Sequence, residues 1–246
     1  MAMSMPIMEE EQMDKLKARD LVDRAVGEGR TALSEYEAKQ VLAAYGLPIP
    51  AETLVFDREG LEAAIAEIGT PLVMKGCSAE VAHKTERNLI RVDIRNQVEA
   101  EKAFNEIMAG LDGAEGGVLV QQLVTGRREL VVGMTRDPQF GACVMFGLGG
   151  IFTEILEDIA FRKAPIDKGE AFKMMQDIKG RRILDAVRGM EAADQDLLAD
   201  MLIRVGEIAL DMEAVAEIDI NPVILSGSRP VAVDALMVLK NQAVTP

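Results

Sequence analysis

The sequence predicts an α/β protein. Its 246 residues are 49% hydrophobic yet include no Trp, two Tyr and seven Phe. The core must therefore be built from Val, Ile, Leu, Ala and Met. That composition suits a parallel or mixed sheet covered by helices better than a β-sandwich. Short apolar runs also alternate with helical stripes that carry capping residues at their starts. The length accommodates one large domain or two small ones.

Residues 1–30 are polar with weak helical periodicity and read as an extension containing a short helix. Ser34-Glu-Tyr-Glu37 has the pattern of a capping box. Val41, Leu42 and Tyr45 then share one helical face, and Gly46 with Pro48 ends the helix. Asp57 can cap a second helix with the stripe Leu61, Ala64, Ile65, Ile68, stopped by Gly69-Thr-Pro71. Leu72–Lys75 reads as a strand, 76–88 as a loop and Ile90–Ile94 as a strand. Asn96 and Glu99 open a helix with Ala103, Phe104 and Ile107 inward, and Val118–Val124 follows as a strand. The first part is thus β-α-β-loop-β-α-β. Beyond it, Glu129–Thr135 and Ala142–Phe146 are strands around the turn Arg136-Asp-Pro-Gln-Phe-Gly141. Phe152–Phe161 is a further strand, and helices cover 168–177 and 194–212. The second of these has the stripe Leu197, Leu198, Met201, Leu202, Val205, Ile208, Ala209. An apolar strand pair, Val215–Leu225 and Val231–Leu239, closes the chain.

The net charge is −14, from 27 basic and 41 acidic residues, which disfavours nucleic-acid binding by phosphate neutralisation. A few cations, backbone N–H groups and a metal ion can still gather a polyphosphate on an acidic protein. Cys77 and Cys143 are isolated and form no CxxC, so a reducing, cytoplasmic setting is expected. The N-terminus is acidic and does not read as a signal peptide. No apolar run approaches the roughly 20 residues that span a bilayer.

Several motifs carry chemistry. Phe146-Gly-Leu-Gly-Gly150 lets backbone N–H groups approach a phosphate, although a tight strand connection would need the same glycines. It is neither a Walker A sequence nor a dinucleotide fingerprint. Glu217-Ile-Asp-Ile-Asn-Pro222 alternates, placing Asp219 and Asn221 on one face of a strand. Asp234 interrupts the next apolar run. Pairing of those strands could gather Asp219, Asn221 and Asp234 as hard oxygen ligands suited to Mg²⁺, although solvated polar residues at a sheet edge would show the same pattern. Lys75 ends an apolar strand, where its charge needs a partner such as a phosphate unless it reaches solvent. Glu129, after Gly126-Arg-Arg128, could accept from a ribose hydroxyl or pair with a lysine. Gln121 and Gln122 sit at a strand end where a purine could be met. His83, the only histidine, lies in Lys75-Gly-Cys-Ser-Ala-Glu-Val-Ala-His83-Lys84-Thr85 and has no second His with which to share a metal.

Taken in order, these motifs resemble an ATP-grasp domain. More closely, the chain is similar over about 31–240 to the β-subunit-type domain of ADP-forming acyl-CoA synthetases, relatives of the succinyl-CoA synthetase β chain. The pieces that carry the likeness are Leu33-Ser-Glu-Tyr-Glu-Ala-Lys39, Lys75 with His83-Lys-Thr85, Arg136-Asp-Pro-Gln-Phe-Gly141, Phe146-Gly-Leu-Gly-Gly-Ile-Phe-Thr-Glu154, Asp158-Ile-Ala-Phe-Arg162 and Asp219-Ile-Asn-Pro222. The resemblance implies two α/β lobes clamping ATP: 31–48 with 119–240 as the large lobe and 49–118 as the small one, flanked by the extension 1–30 and a tail 241–246. It implies that Lys75 contacts the α/β-phosphates, that Gln121, Gln122 and Val124 form the adenine hinge and that Glu129 binds ribose. Asn221 and Asp234 would hold Mg²⁺ with Asp219 close by, and Glu154 would bind or orient the phosphorylated group. His83 would be a phosphoryl carrier between a CoA-binding α subunit and Mg-ADP. Lys84, the metal and the N–H groups of Gly147, Gly149 and Gly150 would offset the charge of the transferring group.

The chain departs from the family pattern after His-Lys-Thr-Glu. A hydrophobic residue and two glycines are usual there, and Arg87, Asn88 and Leu89 stand in their place. Two other functions fit the same motifs: a stand-alone ATP-grasp carboxylate ligase, which would not need His83, and a nucleotide-sensing regulatory domain.

Overall fold

The computed structural model describes residues 6–78, 89–150 and 158–240, with side chains from residue 11 onward. The chain forms two compact units. The larger comprises Met1–Leu33, Glu37–Ile49 and Thr125–Pro246; the smaller comprises Ser34–Tyr36 and Pro50–Val124. The boundary expected between 118 and 119 falls inside a strand, Gly117–Gln122, that is hydrogen-bonded on both sides within the smaller unit.

The N-terminal segment is a 22-residue helix, α1 (Pro6–Gly27), longer than its weak periodicity suggests. Its buried stripe is narrow and built of small side chains, Ala18, Val22 and Ala25, spaced four and three apart. Helix α2 (Glu35–Ala44) ends as Gly46 and Pro48 predict. Gly46 has φ +76, its N–H donates to Ala43 O, and Leu47 N–H donates to Leu42 O. This is a Schellman closure that only a residue tolerant of positive φ completes without strain.

In the smaller unit, β1 (Glu52–Val55), α3 (Arg58–Ile68), β2 (Leu72–Cys77), β3 (Ile90–Ile94), α4 (Gln97–Gly110) and β4 (Gly117–Gln122) follow in order. Both helices start at side-chain caps: Asp57 accepts from Gly60 N–H and Asn96 from Glu99 N–H. The sheet order is β1-β4-β2-β3. Each β-α-β pair is split by the strand between its members, so every ladder is antiparallel. The parallel or mixed sheet expected from composition is therefore replaced by an antiparallel one. Composition reports how the faces are covered, and here α3 and α4 cover one face, with Leu61, Ala64, Phe104 and Ile107 over Leu72, Met74, Val118 and Val120.

In the larger unit, β5 (Glu129–Asp137), β6 (Gly141–Leu148) and β7 (Ile159–Lys163) form a meander. The expected turn at 136–141 shrinks to residues 138–140, because Arg136, Asp137 and Gly141 stay in register in the β5–β6 ladder. Of the strand expected from Phe152, only the part from residue 158 lies among the described residues. Helices α5 (Lys168–Asp177) and α6 (Gln195–Asp211) start at Asp167 and Asp194 caps and bury one face of the sheet. Strand β8 (Val215–Ser226) runs between β5 and β10 (Leu236–Leu239), giving the order β10-β8-β5-β6-β7, with β9 (Arg229–Ala232) paired to β8. These ladders too are antiparallel. The single strand expected over Val231–Leu239 is thus two strands separated by Val233-Asp234-Ala235. No helix among the described residues is long and apolar enough to cross a membrane.

Candidate functional site

Alternation along β2 sends Leu72 and Met74 into the core and Val73, Lys75 and Cys77 to the opposite face of the smaller sheet. The Lys75 side chain is 7% exposed and that of Glu35 is 0% exposed; Lys75 Nζ donates to Glu35 Oε1 at 2.7 Å. The partner that sequence reasoning left to a phosphate or to solvent is thus supplied by the first residue of α2. A buried ammonium and carboxylate stay charged only in such company. A helix N-terminus additionally favours the carboxylate. On β4, Gln121 lies opposite Val73 and Glu52, diagonal to Lys75 on the same face. Gln121 is buried, whereas Gln122 alternates outward, is exposed, and donates its backbone N–H to Ala51 O. Val124 ends this unit. Nearby, burial first, then the charges of Glu52 and Cys77, raise the Tyr36 phenol above its ordinary pKa.

His83, Lys84 and Glu154 lie outside the described residues, as do Arg87 and Asn88. Leu89 is described and buried against Leu111. Its backbone carbonyl accepts from Gly76 N–H at 2.8 Å. The Leu89 side chain fills a notch left by two glycines, since a Cβ at Gly110 would lie 2.5 Å from Leu89 Cδ2 and one at Gly76 would lie 3.2 Å away. The departure from the family's glycine at this position is thus a packing residue.

In the larger unit, β5 and the end of β6 bring Glu129 and the glycine run together. Gly149 N–H donates to Glu129 O at 2.9 Å. A Cβ on Gly149 would lie 2.8 Å from the backbone of Glu129 and Leu130, and one on Gly150 would meet Glu129 Oε2 at 2.5 Å. Gly150 also has φ +64. Gly147 faces the Asp158 carbonyl, 2.7 Å from where its Cβ would be. Close strand packing therefore accounts for these glycines, and it also lays their backbone beside the Glu129 carboxylate. Asp158, buried, accepts from the N–H groups of Lys179 and Gly180, each at 2.6 Å, and so fixes the turn after α5.

Strand β8 supplies the acidic face. Ile218 and Ile220 enter the core, so Glu217, Asp219 and Asn221 face away from it. Leu130 pairs with Val223 and Val132 with Ile220, so β8 has two residues, Asn221 and Pro222, where β5 has one. This bulge explains how a proline without an N–H stands inside a central strand. Across β8, Asp219 pairs with Leu236 and Val223 with Ala232. Three residues on each side separate those pairs, and Asn221 and Asp234 are the middle ones. Asp234 therefore occupies a break between strands, not a strand, with Oδ1 accepting from Ala235 N–H. Burial first, then the charges of Glu217 and Asp234, hold the Asp219 carboxyl above its ordinary range. Among the described residues no three His, Cys, Asp or Glu side chains form a metal-binding group; the set here is two carboxylates and an amide. Such hard oxygen donors, gathered where negative charge is under strain, fit a small dication.

Two residues given no role by sequence reasoning stand out. Glu35 is one; its place in a capping-box pattern hid a partner 40 residues away. Arg128 is the other: buried, it donates to the carbonyls of Ile183, Asp185, Glu191 and Gly227. It thereby ties the strand entrance before Glu129 to the segment after α5. Backbone acceptors leave no mark in a sequence.

A model of the ATP-grasp domain matches residues 24–239. The β subunit of acetate–CoA ligase [ADP-forming] I from Pyrococcus furiosus is 42% identical over 233 residues, covering 92% of this chain and 100% of that relative. The structure of Ca. Korarchaeum cryptofilum dinucleotide-forming acetyl-coenzyme A synthetase 1 with coenzyme A and Ca-AMPCP superposes with a TM-score of 0.87 at 39% identity. It covers 91% of this chain and 100% of that one. A second structure of that enzyme, with coenzyme A and Mg-AMPPCP and its phosphohistidine segment pointing towards the nucleotide binding site, gives 0.81 at 38% identity, with coverage of 91% and 100%.

Proposed function

We propose, because this chain belongs to the ATP-grasp family, that it is the nucleotide-binding β subunit of an ADP-forming acyl-CoA synthetase, an acid–thiol ligase. The observation that carries the reading is the extent of the likeness to the Pyrococcus β subunit, which takes in 100% of that relative at 42% identity. A CoA-binding α subunit completes the enzyme in this reading. The nucleotide and Mg²⁺ bound in the Korarchaeum structure support the same use here.

In this reading Lys75 and Lys84 meet the phosphates, Gln121, Gln122 and Val124 meet the adenine, and Glu129 accepts from ribose hydroxyls. The N–H groups around Gly147, Gly149 and Gly150 face the transferring phosphoryl group, and Glu154 orients it. Asp219, Asn221 and Asp234 would hold Mg²⁺, which when bound supplies positive charge to phosphate oxygens. His83 carries the phosphoryl group. A terminal oxygen of ADP takes the group from phospho-His83; the new O–P bond forms as the N–P bond breaks, and the imidazole leaves neutral. In the reverse direction the imidazole lone pair attacks the γ-phosphorus and ADP leaves.

The test is incubation of this chain and its α partner with γ-labelled ATP. Acid-labile, base-stable label on this chain, absent in His83→Ala, is the expected result. Mg-ATP binding with no labelled protein in the presence of the α partner would instead favour a nucleotide-sensing domain. The packed Leu89 gives that second reading its support. Thioester synthesis by this chain alone would overturn the two-subunit reading.

A further inference from the structure

Five of the buried polar side chains among the described residues, Ser34, Glu35, Lys75, Ser78 and Gln121, belong to the smaller unit. Two of them, Lys75 and Glu35, form an ion pair. Both residues belong to the smaller unit: β2 is hydrogen-bonded to β3 and β4 on its two sides, and Glu35 lies in the segment Ser34–Tyr36 of the same unit. With Nζ 2.7 Å from Oε1 and both side chains out of water, the carboxylate fixes where the ammonium sits and keeps it charged. An ammonium carries three N–H donors, so donation to Glu35 is compatible with donation to a phosphate.

We infer that Glu35 is a positioning residue for Lys75: it holds the ammonium charged and aimed, and so sets affinity for the polyphosphate of the nucleotide without touching the nucleotide. The inference rests on the reading that Lys75 meets the nucleotide phosphates. A purely structural ion pair would support the fold, and with it every part of the nucleotide equally. A positioning pair acts only where phosphate is bound.

The full-length chain is titrated with Mg-ATP and, separately, with adenosine, which has no phosphate. Glu35→Gln should weaken Mg-ATP about tenfold and adenosine less than twofold. Glu35→Asp, which keeps the charge on a shorter arm, should recover part of the loss and guards against a Gln variant that fails to fold. In a Lys75→Met background, Glu35→Gln should cost no further Mg-ATP affinity, because the effect runs through the lysine. Equal losses for Mg-ATP and adenosine, or unchanged or tighter Mg-ATP binding by Glu35→Gln while Lys75→Met is weakened, would overturn the role of Glu35 alone. Unchanged Mg-ATP binding by Lys75→Met would overturn the phosphate reading of Lys75, and the role of Glu35 with it.

Discussion

Asp219 pairs with Leu236 across β8 and β10 and lies close enough to Asp234 for that carboxylate's charge to help raise its pKa, behind burial. The sign of the consequence is fixed. A carboxyl held above its ordinary value of 3.8 adds stability below that value and loses it as pH rises through the raised one. At neutral pH the ionised Asp219 therefore works against the fold unless a cation joins it. Asp219→Asn should raise the melting temperature of the metal-free chain at pH 7 by about 2 °C or more. The same variant should shrink the upward shift that MgCl₂ produces in the wild type. Differential scanning fluorimetry with EDTA and with MgCl₂ reads both. A lower melting temperature in EDTA would count against the electrostatic account.

Gly149 has no room for a methyl group, because the backbone of Glu129 and Leu130 stands 2.8 Å from the position of its Cβ. Backbone in a paired strand cannot step aside as a flexible side chain can. Gly149→Ala should therefore displace either β5 or the glycine run, at a cost of about 1–3 kcal/mol. It should also weaken Mg-ATP binding more than a destabilised but correctly shaped site would. Isothermal titration well below the melting temperature separates the two effects. Wild-type affinity in Gly149→Ala would show that the register of Glu129 and the glycines is immaterial to the nucleotide.

Arg136 belongs to the Arg-Asp-Pro-Gln-Phe-Gly motif, yet its guanidinium donates to Val215 O at 2.7 Å and Met212 O at 3.1 Å, and to Ala209 O. Those carbonyls lie at the end of α6 and the start of β8, where a cation also meets the negative end of the helix dipole. Arg136→Ala should lower stability by about 2–4 kcal/mol, since charge-assisted bonds are lost and carbonyls left unmet. Arg136→Lys should lose nearly as much, because a point charge cannot span three acceptors. Urea unfolding measures the difference, and nucleotide binding by the folded fraction should be unchanged.

The parts of the fold that sequence patterning showed are those whose cause is local. Asp57 and Asn96 sit beside the N–H groups they cap, and Ile90–Ile94 begins and ends as its pattern suggests. What patterning missed is decided at a distance. Strand direction depends on which strand inserts between β1 and β2. The break at Val233–Ala235 answers a bulge at Asn221-Pro222 on another strand. At the site, Asp219 and Asn221 share a face because alternation is local, whereas the partner of Lys75 came from a motif that also reads as a helix cap. Patterning for His83, Lys84 and Glu154 has no counterpart among the described residues.

Helix α1 shows the same limit, and it yields a prediction that separates stability from function. Its stripe of Ala18, Val22 and Ala25 joins the core of the larger unit, and polar contacts reinforce it. Lys15 Nζ stands 4.9 Å above the Tyr45 ring, and Arg19 donates to Asp211 O. Tyr45 itself is buried, with its hydroxyl donating to Asp211 Oδ2 at 2.9 Å. Burial and then that hydrogen bond raise its pKa, so it remains a neutral donor at any physiological pH. Removing residues 1–27 would expose the core surface that this stripe covers and the Tyr45 ring, at a cost of roughly 3 kcal/mol or more. The melting temperature should fall by about 6 °C or more. None of the candidate site residues lies in α1, so Mg-ATP affinity at 20 °C should stay within twofold of the full-length chain. A truncated chain that keeps its melting temperature would show that α1 adds nothing to the core. One that folds but no longer binds Mg-ATP would bring the extension into the nucleotide site.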